Sequence, residues 1–287
     1  MRPRFAVVAA LLTVLLVVGC SGSGSSGGGD PGGGGPGGGP GGGEPGGGVP
    51  GDGGGVGTPA NSSACVNPVL YSPGTLFELA YRRTGPVDAV IDGDVVSRVV
   101  GFESFNGVEA TRRNAEINMA GDSTNFVFYE VFDGVREGIV GVVVSGDFLG
   151  TTVSQVTTRT PTAFVRSANL PPGGEVEGRY VSRAETIAEG LDEDERRLLP
   201  PPFETDVEFT NTFVGIESVT VPAGTFQACL WNDQEVSTLL TRVGEPFTST
   251  RSVWQAVGSG VVLREEDDEG VVTELLSGAI NGLPVEP

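Results

Sequence analysis

Histidine and lysine are both missing from this sequence. Without histidine there is no Ser-His-Asp triad, no Cys-His dyad, no imidazole metal ligand and no proton shuttle working near neutral pH. Without lysine, Schiff-base and Ser-Lys mechanisms are excluded as well. Positive charge is scarce: 17 arginines face 37 acidic residues, a formal net charge of −20. That balance argues against nucleic acid as a partner, which requires a basic footprint, and against adhesion to anionic lipid headgroups. Solubility is the plain reading of so much negative charge. No glycine cluster follows a strand with dinucleotide-binding or phosphate-loop spacing. Asp92-Gly93-Asp94 and Glu265-Glu266-Asp267-Asp268-Glu269-Gly270 offer hard oxygens but lack calcium-loop spacing, and both read as acidic turns between strands.

Long apolar runs are also few, and the one that stands out is at the start. Phe5 to Val18 is apolar behind Arg2 and Arg4, about 14 residues and short of the roughly 20 that span a bilayer as a helix. It ends in Val17-Val18-Gly19-Cys20 instead of an A-x-A-like site. This arrangement resembles the lipobox cleaved by the lipoprotein signal peptidase, with valine where that pattern prefers Leu and Ala or Ser. The resemblance implies removal of residues 1–19, a diacylglyceryl group on the Cys20 thiol and an acyl chain on its freed amine. A buried methylene contributes about 0.8 kcal/mol, so two or three chains make a durable membrane anchor where one does not. Ser21 fits the outer membrane better than the outer face of the inner one.

Residues 20–64 form a tether. Glycine fills 23 of the 44 positions from Ser21 to Ala64, with prolines at 31, 36, 40, 45 and 50. Glycine does not recur strictly every third residue, so no collagen helix forms, and too little apolar surface is present to offset the ordering entropy. A chain of this length and composition has a root-mean-square reach of about 35–40 Å. Asn61-Ser62-Ser63 matches a glycosylation acceptor triplet by composition alone.

Residues 65–287 suffice for one β-rich globular domain. With Cys20 assigned to lipid, Cys65 and Cys229 remain, and an even count in an exported chain favours one disulfide between them. Two free thiols or a metal pair are the alternatives, though two cysteines without histidine make a poor zinc site.

The domain is patterned as short strands punctuated by turns. Asn106-Gly107 separates Val95–Phe105 from Val108–Ile117, and Asp133-Gly134 separates Phe126–Phe132 from Val135–Val144. These are the strongest short-range hairpin signals. Further strands are expected at 77–82, 153–158, 176–182, 206–213, 218–221, 226–236, 248–257, 261–265 and 271–277. One charged segment, Ala184–Leu199, reads as a short helix ended by Pro200-Pro201-Pro202. The fold class is therefore all-β and mainly antiparallel, a curved meander sheet or open barrel with one short helix.

The run Val219-Thr220-Val221-Pro222-Ala223-Gly224-Thr225-Phe226, with Trp254 and Gly258-Ser259-Gly260 after it, resembles an arrangement in uncharacterised exported bacterial β proteins. The resemblance implies a curved antiparallel sheet related to periplasmic lipoprotein carriers, and it brings no catalytic residue with it. Phe126, Phe128 and Phe132 share a parity along one strand; they read as core, or as the lining for an apolar ligand. The expectation is a lipid-anchored envelope protein without catalytic residues or cofactor, acting as a binding or assembly module for an envelope component. A lipid carrier is the alternative. A carboxylate hydrolase, needing two acids a few ångströms apart, is the weakest of the three.

Overall fold

The structure, a computed structural model, describes residues 61–85, 90–148, 151–188, 190–191, 193–197, 199–240 and 245–287. The signal, Cys20 and the tether as far as residue 60 lie outside the described residues.

One antiparallel sheet accounts for nearly all of the described chain. Its strands are β1 (Leu76–Thr84), β2 (Val90–Phe105), β3 (Val108–Met119), β4 (Asp122–Phe132), β5 (Arg136–Phe148) and β6 (Thr151–Ser167). They continue as β7 (Gly174–Ala188), β8 (Phe203–Val221), β9 (Gly224–Leu239), β10 (Phe247–Ala256), β11 (Val262–Asp267), β12 (Val272–Ile280) and β13 (Leu283–Pro284). Each strand pairs with the next in chain order, which is the expected meander. β1 also pairs with β12, from Phe77↔Ile280 to Thr84↔Val272. Twelve strands thus close into a barrel, with β13 as a short addition to β12. Closure leaves the first and last long strands without an open edge.

Both marked hairpins form as expected. Asn106 (φ 50°) and Gly107 (φ 77°) have the positive φ pair of a type I′ turn, and Phe105 pairs with Val108 across it. At the second, the Asp133 carboxylate accepts the backbone N–H groups of Val135 and Arg136 and holds the turn. Pro222-Ala223 likewise joins β8 to β9, and Phe226 behind it is buried.

Two expectations are corrected. Ala184–Leu199 is not a helix: Ala184–Ala188 continues β7, pairing Thr157↔Ala184 through Val153↔Ala188 with β6, and a single α turn (Glu193–Arg196) follows. Ladder hydrogen bonds and alternate burial outweigh the modest helix propensity of Ala and Glu there. Asp92-Gly93-Asp94 is not a turn either but lies within β2, where Asp92 pairs with Arg82 of β1 and Asp94 accepts from Asn118 of β3.

The segment Asn61–Thr75 is a strap, with 3₁₀ turns at Ser62–Cys65 and Pro68–Tyr71. Ser62 Oγ donates to Ser167 O and accepts from the N–H groups of Asn169 and Leu170. Gly258 donates its N–H to Ala64 O, Asn67 Nδ2 donates to Ser259 O, and Gly74 donates to Val99 O. Cys65 is joined to Cys229 of β9, with Cα atoms 6.1 Å apart, and both are fully buried beside Phe213, Trp231 and Val253. Gly260 (φ 72°) is required at its turn because a Cβ there would meet Leu70 Cδ1 at 2.9 Å and Cys65 O at 3.1 Å.

Candidate functional site

The anticipated aromatic strip is enclosed. Phe126 (2 % exposed) and Phe128 stack at 5.8 Å and pack with Ala115 and Val144. Phe132 stacks instead on Tyr71 of the strap, 5.1 Å away.

The same face of the sheet carries buried charge. Asp233 of β9 (4 % exposed) accepts two hydrogen bonds from Arg166 of β6, at 2.8 and 2.9 Å, and one from Arg251 Nε of β10 at 3.1 Å. β6 and β9 are not neighbours, so the Arg166–Asp233 pair crosses the barrel interior. Burial alone would raise the Asp233 pKa, but the two guanidiniums outweigh it and hold the carboxyl below the usual range. Arg251 also reaches Glu265 of β11 at 3.4 Å, and Arg166 lies over the Trp231 ring at 4.7 Å. Arg113 of β3 pairs with Glu130 of β4 and lies over the rings of Phe77 and Phe128.

Glu137 of β5 completes this arrangement and is 8 % exposed. Burial, opposed by Arg166 and reinforced by Glu130, pushes its pKa from 4.5 up to about 7. Tyr71 lies beside Glu137, and its phenol is raised well above 10.0, chiefly by burial and then by the charges of Glu137 and Glu130. Three arginines (113, 166, 251) thus alternate with four acids (130, 137, 233, 265). With Glu137 protonated the set is neutral. Pairing offsets part of the cost of burying these charges among the apolar clusters of the interior.

A groove of about 500 Å³ lies against the outer face of the same strands. Asn211, Asp233 and Arg251 point inward, so the alternate residues point out. Register places those residues in two rows. Thr210, Gln234 and Thr250 are mutual neighbours across β8, β9 and β10, and Thr212, Asn232 and Ser252 form the adjacent row. Glu175 of β7 bounds one side and accepts from Thr212 Oγ1 at 3.1 Å. Glu266, Asp267 and Asp268 bound the other. Ser252 Oγ donates to Asn232 Oδ1, leaving the Asn232 amide nitrogen for another partner, and Asp268 Oδ2 accepts the Thr250 N–H. Glu266 is offset by Arg264 at 2.8 Å. Asp267 holds the β11–β12 turn by accepting from Glu269 and Val271. The run read as an acidic turn is therefore one only from Asp268, since Glu265, Glu266 and Asp267 end β11.

Sequence reasoning singled out none of the groove residues except the acidic run. The available signal was a polar i, i+2 pair in each of three consecutive strands: Thr210 and Thr212, Asn232 and Gln234, Thr250 and Ser252. Such pairs become a surface only once the register is known.

No family model matches the chain, and no curated protein matches it. Two solved structures are similar in part. One is a Bacteroides fragilis protein described as exported, with a YmcC-like fold; it is 13 % identical, the match covers 73 % of this chain and 96 % of that one, and the TM-score is 0.40. The other is a Parabacteroides distasonis protein described as a lipoprotein, 12 % identical, with coverage of 73 % and 96 % and a TM-score of 0.38. Likeness of this degree carries no functional argument.

Proposed function

We propose that this is a lipid-anchored envelope protein whose barrel serves as a non-enzymatic binding module, taking up a polar envelope component in the outer groove. The groove is the observation that carries the reading: its lining is entirely polar and assembled from five strands of a closed barrel. The anchoring part rests on Cys20 and the lipobox pattern before it, with Ser21 favouring the outer membrane. The Cys65–Cys229 bridge suits an oxidising compartment outside the cytoplasm. The glycine-rich tether would let the groove sample its surroundings away from the membrane.

The test uses the full chain in its own envelope. An alkyne analogue of palmitate should label the wild type and not Cys20→Ser. A photo-cross-linking residue at position 234 should give a discrete envelope adduct that one at Val96, exposed on β2, does not. Equal labelling of the Cys20→Ser chain would overturn the anchor, and identical adducts from both positions would overturn the groove.

A further inference from the structure

We infer that the groove takes an extended glycan bearing free amino groups, an inference that rests on the binding-module reading above. Its floor holds four hydroxyl side chains, two on β8 and two on β10, around one amide pair on β9: Thr210, Thr212, Thr250 and Ser252 flank Asn232 and Gln234. Hydroxyls and carboxamides each both donate and accept, as sugar hydroxyls do. The sheet repeats these groups about every 4.8 Å across strands and about every 6.8 Å along them. That is a two-dimensional array of partners for a polyhydroxylated chain. An apolar ligand would find nothing to bury against, because no apolar side chain lines the groove.

The rims select the charge. Asp233 is offset by Arg166 and Arg251, and Glu266 by Arg264. Asp267, opposite the inward-pointing Arg251, is taken up by the β11–β12 turn. Glu175 and Asp268 have no cationic partner among the described residues. They stand on opposite sides, β7 and the β11–β12 turn, four strand spacings or about 19 Å apart. A chain lying across the strands would set ammonium groups against both rims while its hydroxyls meet the floor. An acidic polysaccharide would be repelled at each end.

The experiment is calorimetric titration of the detergent-solubilised full chain with three hexasaccharides at mildly acidic pH: glucosamine, N-acetylglucosamine and galacturonic acid. Glucosamine hexamer should bind at least about tenfold more tightly than its N-acetylated counterpart and weaken with added salt, while the galacturonate should give no binding. The double variant Asn232→Ala, Gln234→Ala, at exposed positions on β9, should lower affinity for both neutral and amino sugars. Glu175→Gln with Asp268→Asn should abolish only the preference for the amine. Equal or tighter binding of galacturonate, or unchanged binding by the β9 variant, overturns the inference. If no hexasaccharide binds while the cross-linker at position 234 still captures its envelope adduct, the ligand class is wrong and the groove reading stands. If the cross-linker is silent too, both fall.

Discussion

Glu137 is the residue whose chemistry most directly governs how this barrel responds to pH. In the unfolded chain its carboxyl loses a proton near the ordinary value of 4.5, whereas in the barrel it holds that proton up to about 7. Between those values the folded state binds more protons than the unfolded one, so stability falls as pH rises through the window and levels off above it. The shift corresponds to a loss on the order of 3 kcal/mol. Urea unfolding at about pH 5 and about pH 8 checks this. Wild type should lose more stability between the two than Glu137→Gln does, because Gln cannot ionise; parallel losses would show that the carboxyl does not titrate there. Asp233 has the opposite sign, since its two arginines hold it ionised, and its contribution is lost only in acid. No sequence pattern flags either residue. Both look like ordinary strand acids until β5, β6 and β9 are wrapped around a common interior.

At the scale of elements, the strap adds what the ladder does not. Cys65 and Cys229 are separated by 164 residues, so the bridge removes a large loop entropy from the unfolded chain. Replacing both with serine should cost about 2–5 kcal/mol in chemical denaturation. The same variant should also speed hydrogen exchange at Gly258 and Gly74, whose N–H groups bond across the strap. A drop in stability with unchanged exchange there would mean that the strap seats itself without the bridge. The turns of the large hairpins were legible because Asn-Gly and Asp-Gly state their backbone conformation locally. Strand ends were less so. Residues 206–213 and 218–221 form one strand through a register shift at Phe213/Gly215, and Ala184–Ala188 is a strand because β6 lies beside it. A partner supplied by distant sequence leaves no local mark.

For the molecule as a whole, the all-β meander could be read from the order of strands and turns, whereas closure could not, since it depends on β1 meeting β12 almost two hundred residues later. The groove shares that dependence, being a product of register across five strands. Net charge, in contrast, is a sum and needs no structure. At −20 the folded chain repels itself over its surface. Moderate sodium chloride should therefore raise the thermal midpoint through screening. A midpoint that stayed level or fell between low and moderate salt would show that exposed pairs such as Arg82–Asp92 and Arg179–Asp206 already balance the surface.

The strap also decides how the barrel bears a load. Chain arriving from residue 60 reaches Cys65, whose covalent bond ends at Cys229, a mid-strand position on β9 with Ile216 of β8 on one side and Gln255 of β10 on the other. Force on Asn61 is therefore delivered to β9 and borne by its ladders with β8 and β10. Without that bond it would fall on the strap's hydrogen bonds and then on β1 and its pairing with β12. The bridge keeps such a pull away from the seam between β1 and β12.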